Sequence, residues 1–230
     1  MNLLKVLFVF LLPSLALTTP LAIGSGVETY KINNAYYVRD LLEVGAHAQP
    51  YFHCKRGSPA KVDLKKIRSL EIDGDLLGRK LCDIEMVAPG LAKVLAATIN
   101  FHSWTFINAP LALQTDDPPI VKFKMVERIQ ASNRTLFNIR LQSNVWKQLT
   151  AQHRIALIFH EVTFTLLKYV CTNEPACSLY KQSPRLAREI TGSLFSESTY
   201  ASESEIKKLN TLIRLSLYTG HPAPKTGERQ

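Results

Sequence analysis

Little in this chain punctuates it. Ten glycines and twelve prolines in 230 residues are too few for a linker-rich array. No Gly-rich phosphate loop and no G-x-S-x-G turn appear. No C-x-x-C pair exists, and no His stands at zinc-finger spacing from a Cys. No apolar run reaches the ~20 residues a membrane-spanning helix needs. With 46% hydrophobic and 20% charged residues, the composition is that of an ordinary globular chain. Together these features exclude collagen, low-complexity disorder and a multi-span membrane protein. Ser and Asp are plentiful, yet no spacing identifies a catalytic triad. His53 and Cys54 are sequence neighbours whose side chains diverge on a strand, which makes a poor Cys–His dyad.

What is present begins with an address. Met1 to Leu12 carries one charge, Lys5, and Val6 to Leu12 is an unbroken apolar run ended by Pro13 and Ser14. A positive start, a short apolar stretch and small residues after it are the pattern of a secretory signal peptide. Residues 1–24 are read as that peptide, with cleavage after Ala16 or Gly24. Either cut removes only Lys5, lowering the formal charge of +9 by one. The expected location is secreted or periplasmic, with no transmembrane segment after processing. Export in turn favours disulfides among Cys54, Cys82, Cys171 and Cys177. Four cysteines allow three pairings. Cys171 and Cys177 enclose a short polar loop and suit a local bridge, which leaves Cys54 with Cys82.

Residues 25–220 are read as a single α+β domain and 221–230 as a mobile polar tail. Its helical C-terminal half is expected to pack on a small antiparallel sheet. The pattern predicts a helix from Asn33 to Val44 stopped by Gly45. Short strands are expected at Tyr51 to Cys54, Ile67 to Ile72 and Trp104 to Ile107. Pro89 is placed in the first turn of a helix through Asn100. Val121, Phe123 and Met125 alternate as a strand, and Leu136 to Leu141 as its partner, with Ala131 to Arg134 as the turn between. Further helices are expected after Ser143, from Gln152 to Tyr169, from Ser183-Pro184 and from the Ser202–Glu205 capping box.

One chemical motif stands out. Ala156 to Phe164 reads ALIFHEVTF. His-Glu on an apolar helix is the first half of the zinc-peptidase motif H-E-x-x-H, in which two imidazoles on one helix face hold a metal and the Glu activates its water. Here the second His position is Phe164, which cannot ligate. A zinc site would need ligands from elsewhere; Glu189, His102, His53 and His153 are available and nothing in the spacing selects among them, the alternative metal reading taking His160 with Glu189 on the next helix. The structural reading is that His160 and Glu161 are buried polar residues satisfied by partners. A carboxylate inside an apolar helix needs a cation or hydrogen bonds, and Arg188 is the first candidate, with Arg185 beside it.

These residues carry a resemblance. Val145-Trp146-Lys147-Gln148-Leu149, then Ala156-Leu157-Ile158-Phe159-His160-Glu161 with Phe164, then Ser183 to Leu194 with Arg188, resemble a family of uncharacterised exported proteins of Bdellovibrio-type predatory bacteria. That family's pattern is a Trp segment, an apolar run into His-Glu-x-x-Tyr, and a Ser-x-x-x-Arg helix. Cys54 followed by Lys66 to Asp73 is a weaker match. The resemblance implies a secreted or envelope protein and brings no established activity. It also implies that an aromatic at position 164 is the family's habit, which argues against a conventional zinc peptidase.

Lys55, Arg56, Lys61, Lys65, Lys66 and Arg68 form the densest basic stretch, with acids from Glu71 to Glu85 just downstream. The favoured reading is a solvated loop neutralised by those acids; the alternative partner outside the cytoplasm is an anionic envelope surface. Nucleic acid has no motif in its favour. The expectation is an exported envelope protein, non-enzymatic and without a cofactor, built around a structural His160–Glu161 helix. The alternative is an atypical zincin-like, zinc-dependent hydrolase using His160 and Glu161.

Overall fold

Two consecutive asparagines set the first turn. In the computed structural model, which describes residues 26–46, 48–57, 62–113, 127–135, 138–170 and 184–217, Asn33 and Asn34 have φ of 49° and 63°. Positive φ at both central residues is the geometry of a two-residue hairpin. It joins β1 (Glu28–Ile32) to β2 (Ala35–Val38). The helix expected from Asn33 to Val44 is therefore a hairpin arm followed by a single helical turn, α1 (Arg39–Glu43). The β-forming run Tyr36-Tyr37-Val38 pairs with β1 before the chain can coil. Gly45, at φ 73°, does end that turn.

The other elements follow in order: α2 (Gly74–Val87), α3 (Leu91–Phe101), β3 (Ser103–Ile107), β4 (Glu127–Gln130), β5 (Ser132–Arg134), β6 (Asn138–Gln142), α4 (Ser143–Gln148), α5 (Ala151–Val170), α6 (Pro184–Leu194), α7 (Glu197–Ala201) and α8 (Glu203–Leu217). The fold is α+β. Among the described residues the strands form two small sheets, β2-β1-β4 and β3-β6-β5. The first is antiparallel throughout, but in the second β3 runs parallel to β6. Only Ala131 separates β4 from β5, so the chain steps directly from one sheet to the other. The segment expected as a turn, Ala131 to Arg134, thus contains a strand, β5, which pairs antiparallel with β6.

Around these sheets α5 is the central helix. Ile155 to Phe159 and Val162 are all fully buried, so this helix is apolar on every side and packed on every side. One hydrophobic core runs from Val27 to Ile213 through it. Among the described residues no helix is long and apolar enough to cross a membrane. The segment 1–24, the Cys171–Cys177 pair, the strand through Val121 and Met125, Ser183 and the tail 221–230 lie outside the described residues.

The pairing left for Cys54 and Cys82 is present as a disulfide. It belongs to a larger clamp built on α2, a helix whose start is set by Asp73, which accepts from the amides of Asp75 and Leu76. Residues 51–54 were expected as a strand. Their backbone is instead taken up by α2 side chains. Asp83 accepts from the amides of Cys54 at 2.7 Å and His53 at 3.3 Å. Arg79 Nε donates to the Cys54 carbonyl at 2.7 Å. Lys80, fully buried, donates to the carbonyls of Tyr51 and Leu194 and to Asp83, each at 2.6 Å. The rings of Phe52 and Phe195 lie 4.7 Å and 4.5 Å from its ammonium. The run Ile67 to Ile72, also expected as a strand, is a 3₁₀ turn at Arg68–Leu70 followed by Glu71 at φ 48°.

Burial holds the Lys80 ammonium down at about 8, with Asp83 pulling it partly back. The folded value lies below the unfolded value of ~10.4, so between these limits the unfolded chain binds more protons and stability gains as pH rises. Lys80→Met leaves Asp83 buried without its cation and is expected to cost roughly 3–5 kcal/mol at pH 7. In urea unfolding, the gap between native protein and this variant widens from pH 8 to pH 10. A gap that does not change with pH contradicts this assignment.

Candidate functional site

The middle of α5 carries the two residues of the His-Glu motif, and each faces a different partner set. Successive helix positions point ~100° apart, so His160 is turned toward α1 and Glu161 toward β5. Both are buried, Glu161 to 0% exposure.

Glu161 is met from β5. Ser132 and Arg134 are two apart on that strand and share a face. The Ser132 hydroxyl donates to Glu161 Oε1 at 2.5 Å and accepts from the Val27 amide at 2.8 Å. Arg134 Nη1 lies 3.8 Å from Glu161 Oε2 and donates to the Glu161 carbonyl at 3.1 Å. Its Nη2 reaches Thr165 Oγ1 at 2.5 Å and His102 Nε2 at 3.3 Å. The guanidinium also lies over the Phe164 ring, 5.3 Å from its centroid. Phe164, at the position where a zinc peptidase has its second His, thus covers the cation that serves Glu161.

His102 closes this network at the end of α3. Its Nδ1 is 2.8 Å from the Thr98 carbonyl, which can only accept, so Nδ1 carries the proton. Nε2 is then free to accept from Arg134. Burial is the main cause holding the His102 pKa below its usual value; the Thr98 carbonyl opposes this, and the nearby guanidinium adds to it. A neutral ring beside Arg134 can accept from the guanidinium and sets no second positive charge against it.

His160 faces the other way. Its Nδ1 donates to Asp40 Oδ2 at 2.7 Å, and its ring stacks on Phe164 at 6.5 Å between centroids. Among the described residues His160 Nε2, Asp40 Oδ1 and Glu161 Oε2 have no hydrogen-bond partner. Asp40 is held close to α5 by α6. A Cβ at Gly192 would lie 2.8 Å from the Asp40 carbonyl, so only glycine lets α6 approach.

The cation expected for Glu161 was Arg188. The structure gives Glu161 to Arg134 and places Arg188 elsewhere, 3.3 Å from Glu43. The reason is α1. It packs against α6, and Arg188, one turn before Gly192, meets Glu43 at the end of that helix. Glu43 also binds Arg39 at 2.8 Å, Arg39 binds Glu28 at 2.8 Å, and Glu28 binds Arg128 at 2.6 Å. The five charges alternate in sign from sheet to helix.

The expected metal-ligating residues do not come together. Glu189, offered as a partner of His160, points outward, 39% exposed and 2.8 Å from Arg185. His153 Nδ1 accepts from the Val38 amide at 3.1 Å, and His53 stacks on Tyr200 at 5.5 Å. Among the described residues no three His, Cys, Asp or Glu side chains are grouped to hold a metal ion. Ser132, Arg134 and Asp40 were not singled out from sequence. The signal for them was an Arg two residues beyond a Ser in a β-like run, and an Arg-Asp pair ahead of Leu41 and Leu42.

Comparison with known proteins finds no match, whether to protein-family models, curated proteins or solved structures.

Glu161→Ala should cost roughly 3–5 kcal/mol, because it leaves Arg134 buried without its carboxylate. In a double-mutant cycle by urea unfolding, Glu161→Gln with Arg134→Met costs less than the sum of the single changes. The same cycle run with Arg188→Met is additive. Additivity in the Arg134 cycle, or coupling in the Arg188 cycle, contradicts the pairing described.

Proposed function

We propose that this is an exported envelope protein without enzymatic activity, in which the His160–Glu161 helix is the structural centre. The observation that carries this reading is the burial of Glu161. A general base must reach a water molecule or a substrate proton. Glu161 is shut from solvent and its Oε1 is bonded to Ser132. The disulfide between Cys54 and Cys82 fits an oxidising compartment. The resemblance to exported proteins of predatory bacteria points to the same place.

One observation favours the second reading, a metal-dependent hydrolase. Asp40 orients His160 through Nδ1 and leaves Nε2 without a partner among the described residues. Carboxylate-oriented imidazoles of this kind are common metal ligands. Against it stands Glu189, directed to the surface.

Elemental analysis of the purified protein separates the two. The first reading expects no stoichiometric transition metal and a melting temperature unmoved by a chelator. One equivalent of zinc, lost in His160→Ala together with a chelator-sensitive melting temperature, overturns it.

A further inference from the structure

His102 joins α3 to β3 and is buried, while its neighbours in sequence, Phe101 and Ser103, are both exposed. A buried ring thus sits between two solvent-facing positions. Its nitrogens have opposite roles: Nδ1 donates to the Thr98 carbonyl at 2.8 Å, and Nε2 accepts from Arg134 Nη2 at 3.3 Å. A guanidinium does not give up its protons, so acid acts on the imidazole. Once protonated, both ring nitrogens donate, and an N–H stands against an N–H. Thr165 Oγ1, 3.3 Å from Nε2, is the acceptor within reach. It already accepts from Arg134 at 2.5 Å and donates to the Glu161 carbonyl at 2.8 Å. A bond to it would still leave the new charge 3.3 Å from the guanidinium. The charged groups acting on the ring are Arg134 from β5 and Glu161 from α5. Glu161 is already engaged by Ser132 and Arg134. Lys168, farther along α5, adds its charge near Arg134, and α3 and β3 contain no acidic residue.

We propose that His102 is an acid-operated latch: when it takes a proton, the ring leaves Arg134 for solvent and the end of α3 loosens from β5 and α5, while the rest of the fold stays closed. Burial first, and then the guanidinium, hold the closed ring's pKa below its usual value, against the Thr98 carbonyl and Glu161. In the open state the ring has an ordinary value of ~6.5. The open state therefore binds more protons, and closure is lost as pH falls through that value toward the closed-state pKa. His160 does not act in this way, because its Nδ1 faces the Asp40 carboxylate, with which a protonated ring forms an ion pair. The turn that loosens carries its own reporter. The Trp104 ring lies 6.4 Å from that of His102, and its indole N–H donates to the Ile99 carbonyl at 3.2 Å.

Hydrogen exchange of the two indoles, read by NMR as protection over the intrinsic rate, tests this on the native protein. Trp146, whose indole donates to the Leu70 carbonyl at 3.1 Å, is the internal reference. Protection at Trp104 is expected to fall roughly ten- to thirtyfold between about pH 7.5 and about pH 5, while Trp146 keeps its own. The His102 imidazole, followed in the same samples, should titrate below ~6.5. His102→Gln keeps an acceptor for Arg134 that does not titrate, and should remove the pH dependence at Trp104. Equal loss at both indoles means global acid unfolding and overturns the latch. So does unchanged protection at Trp104 across this range, or a His102 ring that titrates at or above the ordinary value; these readings need no variant. Opening that persists in folded His102→Gln, with lost protection of the Val38 amide that donates to His153 Nδ1, assigns the acid response to His153 and equally overturns the proposal.

Discussion

A carboxylate with no access to water sits at the middle of the longest helix. Glu161 can stay charged there only if donors and a cation reach it. The Ser132 hydroxyl and the Arg134 guanidinium do so, and both belong to the strand that begins one residue after the chain changes sheets. The consequences spread from that strand. Ser132 holds the Val27 amide at the entry to the first sheet. Arg134 reaches the end of α3 through His102. One buried charge therefore sets the position of both sheets and one helix against α5. Isolated, such a charge would cost several kcal/mol, more than any single apolar contact returns.

The same device recurs twice. Lys80 gathers the carbonyls of Tyr51 and Leu194 and the carboxylate of Asp83, while three aromatic rings close over it. The alternating row Arg128–Glu28–Arg39–Glu43–Arg188 ties both edges of the first hairpin to α6. These clusters lie where secondary structure is weakest. Helices α1 and α7 are five residues each, too short to persist by propensity. Residues 51–54 make no ladder at all. Charged side chains satisfy backbone groups there that regular structure elsewhere would satisfy. The apolar core supplies most of the driving force, and the buried charges select one arrangement of its short pieces.

This division explains what could be read from the chain. The α+β class, α5, α6 and the strands at Trp104 and Leu141 followed from apolar patterns long enough to be unambiguous. The Cys54–Cys82 bridge followed from an even count and from elimination once Cys171 and Cys177 were read as a local pair. Helix α2 went unread because its buried face includes Lys80 and Asp83 among Leu77, Leu81, Ile84 and Val87, so the apolar stripe is interrupted where the clamp is built. The hairpin at Asn33 was taken for a helix cap because Asn serves both roles; the pairing of β2 with β1, which is itself paired with β4 on its far side, makes the strand. For Glu161, burial and the need for a cation were legible from the all-round apolar helix. The choice of cation was not. Arg188 lies as far along the chain on one side of Glu161 as Arg134 does on the other, but α1 intervenes with Glu43, and Arg134 arrives by a strand crossing that no local pattern encodes.

Native-state hydrogen exchange tests most directly whether the Glu161 network holds the sheets to the helix. The amides of Val27, Ala131 and Gln142 bond to Ser132, Val27 and Ala131 at this junction. If the network governs, these amides exchange only through global unfolding, with the same free energy and denaturant dependence as Ile158 and Phe159 in α5. Exchange at the junction by a local opening several kcal/mol below the global value, while α5 stays protected, would contradict the account.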